Sequence, residues 1–397
     1  MSSKKSNSQG MSRTSVVGAV LIFALFVITV ALYGFDAAVV MLEDLTGTDF
    51  GLETSAGDAG GQPAVDSSGV AVGEGEITVY FTSPVIPFND VTSGGIEDNL
   101  IELINNAESS IDLAVFEFNL QNVAEALIAA HQRGVQVRVV HDDEHTEEDP
   151  QIEELMEAGI PAIPDERSAF MHNKFFVFDR EIVWTGSTNI TENGIYRNNN
   201  NALVLRSPQL AANYTAEFEE MFADEFGPRS PANTPNPVVE LSGIRIETYF
   251  APEDDPILQM LEVVNGAQSS IHFMTFAFTR DDLGQAIVAR GQAGVNVQGL
   301  FEQRGAATEF SECNLFLNNG FNVAIDGNPR TLHHKVLIID SQIVVTGSFN
   351  YSDNAVESND ENVLIIYDQQ VAQLYEQEFQ RRFAESQATE ATVCRVP

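Results

Sequence analysis

His172-Asn-Lys174-Phe-Phe-Val-Phe-Asp179, followed after six residues by Gly186-Ser187-Thr-Asn189, returns 161 positions later as His333-His-Lys335-Val-Leu-Ile-Ile-Asp340 and Gly347-Ser348-Phe-Asn350. Six fixed positions at ~5% each recur by chance about once in 10⁸ starting points, so the two copies share an origin. A histidine and a lysine two apart on an extended segment point to one face of a strand. The four apolar residues that follow fit a buried strand, Arg180-Glu181 and Ser341-Gln342 are expected at a turn, and the returning strand carries Gly-Ser-x-Asn back beside the histidine and lysine.

The repeat extends well beyond the motif. Ile77-Thr-Val-Tyr-Phe81 answers Ile246-Glu-Thr-Tyr-Phe250 as opening strands, and Asn105 to Ile111 answers Asn265 to Ile271 as a helix end running into the apolar strands 113–118 and 273–278. Val123 to Gln132 and Leu283 to Gln292 have helical apolar spacing and stop before Gly134 and Gly294, each a helix-ending glycine, before alternating valines resume. Strands alternating with helices predict an α/β fold of two pseudo-twofold-related lobes, each a mixed sheet flanked by helices. The expected divisions are a cytoplasmic tail 1–14, a membrane anchor 15–33, an acidic linker 34–75, a first lobe 76–228, a Pro-rich inter-lobe linker 229–244, a second lobe 245–385 and a tail 386–397.

Charge narrows the function. Acidic residues number 58 against 20 basic, for a formal net charge of −38, which favours solubility and opposes tight, sequence-blind binding to nucleic acid. The chain has only four lysines, Lys4, Lys5, Lys174 and Lys335. An acidic, lysine-poor surface is the composition expected of a protein that works in high salt. Against that background, two lysines at matched motif positions are candidates for chemistry. Cys313 and Cys394 are the only cysteines and are read as two free thiols, with a disulfide as the alternative outside the cytoplasm.

Ser15 to Tyr33 is a 19-residue stretch without a charge, long enough to cross a bilayer as one helix. Lys4, Lys5 and Arg13 precede it and no basic residue follows until Arg133, which orients the amino terminus to the cytoplasm and the body outside the cell membrane. A cleaved signal peptide and a buried helix are the competing readings. The Gly/Ala/Ser-rich acidic segment that follows reads as a tether with a span of ~35 Å.

Two imidazoles, two ammonium groups, two amides and two hydroxyls at one site suit a phosphodiester. The ammonium groups Lys174 and Lys335, with Ser187, Asn189, Ser348 and Asn350, would hold the phosphate oxygens as charge builds. Of His172 and His333, one would attack phosphorus and the other protonate the leaving oxygen. No cofactor or metal is called for, and His141 and His145 in the run HDDEHTEED read as a solvated acidic loop rather than a zinc site.

The pattern His-x-Lys-x4-Asp-x6-Gly-Ser-x-Asn resembles the phospholipase D superfamily, over about Glu76 to Phe383, with both copies matching in full. The resemblance implies a site at the lobe interface, a covalent histidine intermediate and metal-independent cleavage of phosphodiesters. Asp179 and Asp340 belong to the motif and are expected to orient the strand rather than touch phosphate. The acidic residue found 28 positions past the motif histidine in many members is Glu361 in the second copy, whereas the first has Asn200. On this spacing Glu361 is expected to support His333, leaving His172 less basic. The substrates implied are phospholipids, or alternatively nucleic acid, since Asn359-Asp-Glu-Asn362 also resembles the small bacterial endonucleases and the cardiolipin-cleaving branch. A cardiolipin synthase is disfavoured by the single apolar segment.

Overall fold

The computed structural model describes residues 69–89, 92–147, 149–388 and Cys394. The expected tail, the anchor and most of the tether therefore lie outside the described residues. Among those described, no helix is long and apolar enough to cross a membrane.

Two eight-stranded mixed sheets are built in the same order. The first comprises β1 (Val70–Val72), β2 (Ile77–Phe81), β3 (Ser110–Val115), β4 (Gln136–His141), β5 (Ala162–Pro164), β6 (Phe175–Phe178), β7 (Ile182–Gly186) and β8 (Asn201–Arg206). The second comprises β9 (Val238–Leu241), β10 (Ile244–Ala251), β11 (Ser270–Thr275), β12 (Asn296–Phe301), β13 (Asn322–Ile325), β14 (Lys335–Ile339), β15 (Ile343–Gly347) and β16 (Glu361–Tyr367). The orders are β1-β2-β8-β7-β6-β3-β4-β5 and, read from the matching edge, β9-β10-β16-β15-β14-β11-β12-β13. Strands β3, β4 and β5 run parallel, joined by the crossover helices Gln121–Gln132 and Pro150–Glu157, while β6, β7 and β8 form an antiparallel meander. The first described strand, β1, lies ahead of the expected lobe boundary at Glu76, and β9 occupies part of the expected inter-lobe linker. Each is a short edge strand that pairs antiparallel with the opening strand of its lobe.

The motif strands β6 and β14 lie mid-sheet, which explains their unbroken apolar runs. Both faces are covered, and Phe175–Phe178 and Val336–Ile339 are at most 1% exposed. Each side chain so buried stabilises the fold by roughly 1.5–3 kcal/mol. One core joins the lobes, with Val177, Leu203 and Leu205 of the first sheet and Ile246, Val336 and Ile338 of the second meeting Tyr214 and Phe218 of helix Pro208–Phe222 and Tyr375 and Phe379 of helix Gln369–Ala388. The outer face of each sheet has its own core under helices Ile96–Asn106 and Gln121–Gln132, or Pro256–Gly266 and Asp281–Gln292. Gly134 and Gly294, at φ 97° and 102°, end the crossover helices as expected.

The hairpin turn falls one residue earlier than expected. Asp179-Arg180 and Asp340-Ser341 are its central residues, all with positive φ between 52° and 59°, the two-residue geometry that matches strand twist. Asp tolerates that conformation, and its carboxylate has a second use. Asp179 accepts from the backbone N–H groups of Glu108, Ser109 and Ser110, and Asp340 from those of Gln268, Ser269 and Ser270. Burial alone would raise both carboxyls, but these hydrogen bonds outweigh it and hold them below the ordinary range. Both aspartates therefore stand at the end of the strand away from the histidine and lysine, as anchors of the turn rather than members of the catalytic set.

Cys313 and Cys394 are paired, with Cα atoms 6.0 Å apart, which corrects the reading of two free thiols. Residues 81 apart in sequence become neighbours because Cys313 opens a helix in the outer core of the second lobe, where Cys394 is also buried.

The motif glycines are required by contact. At φ +143°, Gly347 leaves no room for a Cβ, which would stand 2.2 Å from the carbonyl oxygen of Asn362, the atom that accepts Ser348 N–H. Gly186 stands in the same relation to Asn201. Gly347→Ala is expected to lower stability by at least about 2 kcal/mol, and an unchanged urea midpoint would contradict this account.

Candidate active site

The two motif segments are held by each other's lobe. Met171 forms a parallel bridge with Asp360 ahead of β16, and Leu332 forms one with Asn199 ahead of β8. His172 N–H donates to the Asp360 carbonyl and His333 N–H to the Asn199 carbonyl, both at 2.9 Å. Side chains then meet in register across the interface. Glu361 meets His172 at 2.7 Å and Asn362 meets Asn173 at 2.8 Å, while Asn200 meets His333 at 2.9 Å and Asn201 meets His334 at 3.1 Å.

This reverses the expected support. Glu361 serves His172, not His333, because β16 begins beside the first motif and its leading side chain crosses the seam. Glu361 Oε2 receives His172 Nδ1–H and the Ser348 hydroxyl at 2.7 Å each, and Oε1 receives the Asn359 amide at 3.3 Å. His333 Nδ1 faces two acceptors at 2.9 Å, the Ser187 carbonyl and Asn200 Oδ1. Asn200 is fixed in that sense because its Nδ2 donates to the Gly194 carbonyl and its Oδ1 takes the Ser187 hydroxyl at 2.8 Å each. Acceptors on both Nδ1 atoms place the hydrogens there and leave both Nε2 atoms with a lone pair.

Ser187 and Ser348 are fully buried behind the histidines. They were expected on the phosphate, but each hydroxyl donates to the group that orients an imidazole and accepts from the backbone, Ser187 from Asn201 and Ser348 from Asn362. Asn189 donates to the Glu117 carboxylate, and the amide oxygens of Asn189 and Asn350 are buried without a hydrogen-bond partner.

Lys174 and Lys335 are each 1% exposed. Their Nζ atoms donate to the carbonyls of His172 at 2.7 Å and His333 at 2.9 Å, and lie 4.6 and 4.8 Å from the ring centres of Phe116 and Phe276. Burial brings Lys174 down to about 7. Burial, then the charge of Lys174, puts Lys335 well below its ordinary value. Both histidines fall well below theirs, through burial and then the two lysines. Burial raises Glu361 to about 7 against the pull of Lys174 and of the Ser348 and Asn359 hydrogen bonds. The pocket thus gathers basic groups in a dry setting and holds them below their ordinary basicity, an arrangement that a bound anion would relieve.

His145 is not in a solvated loop. Its Nδ1 bonds Asp142 Oδ1 at 2.8 Å, its ring lies 4.1 Å from Phe116, and it lines a cleft of about 670 Å³ between the lobes. The signal was present in the sequence as Asp142 three residues ahead of His145, an N-cap spacing, but nothing local said that this turn faces the cleft. Among the described residues, Glu217, Glu220 and Glu253 bring carboxylate oxygens within 4.8 Å of one another. None of the three lines the cleft.

Two outcomes test this geometry. Glu361→Gln is expected to slow turnover of a phosphodiester by about 10²–10⁴, and Asn200→Ala by markedly less, since only Glu361 can stabilise a cationic imidazole. Equal losses in steady-state assays would remove the distinction. Lys335→Met, which deletes a buried ammonium, is expected to abolish activity and to raise the melting temperature by a few degrees. A lowered melting temperature would show that this ammonium stabilises the fold.

Comparison with known proteins supports the same assignment. Residues 100–222 and 260–383 match the family described as cardiolipin synthase, PLD-like domain. The chain is 31% identical over 139 residues to the mitochondrial cardiolipin hydrolase of Homo sapiens, which covers 35% of this chain and 55% of that protein. It is 31% identical over 147 residues to a phospholipase D of Rickettsia conorii, covering 37% and 74%. The chain therefore spans little more than half the length of the human relative. Among solved structures, the phosphatidylserine synthase of Haemophilus influenzae Rd KW20 shares the fold, with a TM-score of 0.61 over 80% of this chain and 88% of that one at 15% identity. Matched by the family pattern over both lobes and more than half of its residues, this chain belongs to the phospholipase D-like family.

Proposed function

We propose that the protein is a phosphodiesterase that hydrolyses phospholipids through a phosphohistidine, with His172 as nucleophile and His333 as general acid. The observation that carries this reading is the pairing of Glu361 with His172 and of Asn200 with His333. When His172 Nε2 attacks phosphorus while Nδ1 keeps its hydrogen, the imidazole becomes cationic, and the Glu361 carboxylate stabilises that charge. His333 has only neutral acceptors, so its protonated form gives up the proton more readily. The negative charge of substrate phosphate offsets the repulsion from Lys174 and Lys335, so that His333 Nε2 takes up a proton from solvent as the substrate binds.

In the first step the P–O bond to the leaving alcohol breaks as the P–N bond forms, and that oxygen takes the proton of His333. In the second, the oxygen of a water attacks phosphorus as neutral His333 accepts a proton from that water, the P–N bond breaks, and both imidazoles return to their states in the substrate complex, His333 releasing its proton to solvent as the product leaves. Lys174 and Lys335 hold the non-bridging oxygens throughout.

The lipid reading is supported by the relatives named for cardiolipin hydrolysis and phospholipase D and by a net charge of −38 that opposes nucleic acid. An extracellular endonuclease of the same family is the competing reading, and a plasmid-nicking assay beside a lipid-cleavage assay separates the two. Residues 15–33 as a single-pass anchor with the body outside the cell, and a high-salt habitat, complete the proposal. Membrane fractionation with protease accessibility tests the first, and activity in multimolar salt the second.

The division of roles predicts a trapped species. With an activated aryl phosphodiester, whose leaving group needs no proton, His333→Ala should accumulate acid-labile phosphohistidine on His172, detectable by mass spectrometry, whereas His172→Ala should form none. Phosphohistidine at residue 333 in the His172→Ala protein would reverse the assignment.

A further inference from the structure

The walls of the cleft are built from equivalent elements that carry opposite charge. The short helices Asp143–Thr146 and Gln303–Ala306 occupy corresponding places, each capped by an acidic side chain, Asp142 onto His145 N–H and Glu302 onto Gly305 N–H. On these matched scaffolds Glu144 corresponds to Arg304, Ala169 to Arg330 and Glu117 to Ala277. All three exchanges make the second wall more positive than the first. Glu117, Glu144 and Asp149 line one side of the cleft, and Arg304 and Arg330 line the other. Glu302 pairs with Arg304 at 3.2 Å and offsets part of its charge, while its other oxygen is held by the cap, so the positive excess of this lip rests on Arg330 and on the exposed guanidinium of Arg304. In a chain with 20 basic residues against 58 acidic, two arginines on one lip are a local reversal of the surface charge.

The lip lies over His333. Arg330 is three residues before it, and Arg304 donates at 2.7 Å to Thr331, two residues before it. His172 lies under the acidic wall, across Phe116 from His145. In-line displacement places the leaving oxygen opposite the nucleophile, and so on the arginine side.

We infer that Arg304 and Arg330 determine specificity by reading a negative charge on the leaving group, while the acidic wall rejects an anion on the opposite side. This deepens the phosphodiesterase reading with His172 as nucleophile and rests on it. The preferred substrate class is a diester whose leaving alcohol carries a further phosphate, rather than a lipid with a cationic head group. A continuous nucleic-acid strand fits poorly, since it presents phosphate to both walls.

Lipids with one diacylglycerol moiety and different head groups isolate the effect. Phosphatidylcholine, phosphatidylglycerol and phosphatidylglycerol phosphate would be compared in the same neutral-detergent micelles at low ionic strength, with bis(p-nitrophenyl) phosphate as a reference diester. The expected order of kcat/KM is phosphatidylglycerol phosphate, then phosphatidylglycerol, then phosphatidylcholine. In the Arg304→Gln/Arg330→Gln protein the ratio of the phosphorylated lipid to the reference diester should fall about ten- to hundredfold, chiefly through KM, and Arg304→Lys/Arg330→Lys should restore most of it. Molar salt should shrink the preference. An unchanged ratio in the glutamine variant, a preference for phosphatidylcholine, or internal cleavage of DNA faster than of any lipid would overturn the inference. Failure of the wild type to cleave the reference diester or any lipid would instead remove the phosphodiesterase reading, and the inference with it.

Discussion

Two short bridges hold the site together, Met171 to Asp360 and Leu332 to Asn199. Through them the approach to each motif strand is tied to the start of the last strand of the opposite lobe, and the side chains that follow meet across the seam. Neither lobe has a complete site alone. The lobe that supplies His172 lacks its carboxylate, and the lobe that supplies His333 lacks the amide that holds it. The same register sets the layer behind, where Asn201 bonds Thr346 and Tyr375 and Asn362 bonds Thr185, Tyr214 and Asn173. Polar groups buried this deeply are costly unless satisfied, so the network specifies one docking of the lobes while the shared apolar core provides the adhesion.

The electrostatics follow from the same closure. A protein with a net charge of −38 buries its two folded-body lysines beside two histidines, with Glu361 the carboxylate that bonds directly to an imidazole there. Without substrate, burial and mutual repulsion hold all four cationic groups below their usual basicity. On the proposed reading a phosphate group supplies the missing counter-charge, so that the site trades stability for affinity. The asymmetry between Glu361 and Asn200, on the same proposed reading, gives the duplicated machinery two different proton tasks.

Much of this was legible in the chain. The repeat is visible because a mid-sheet strand buried on both faces must be apolar throughout, so β6 and β14 appear as four-residue apolar runs at fixed distance from His-x-Lys. The motif glycines and aspartates are likewise local necessities, since the glycine meets a carbonyl on the adjacent strand and the aspartate must both form a tight turn and collect three N–H groups. Twofold lobes, crossover helices and the scarcity of lysine led to the interface and to the groups gathered there.

What the linear order could not convey was partnership across the seam. Spacing along the chain assigned Glu361 to His333, gave Ser187 and Ser348 to the phosphate, put His145 in solvent and left Cys313 and Cys394 apart. Each depends on which segments docking brings together, and a pattern of residues at fixed intervals carries information only about neighbours within its own strand, turn or helix. The residues of the chemistry were thus present in the sequence, whereas their pairing was settled by how two similar lobes close on each other, because hydrogen bonds over a few ångströms follow position in space and not order along the chain.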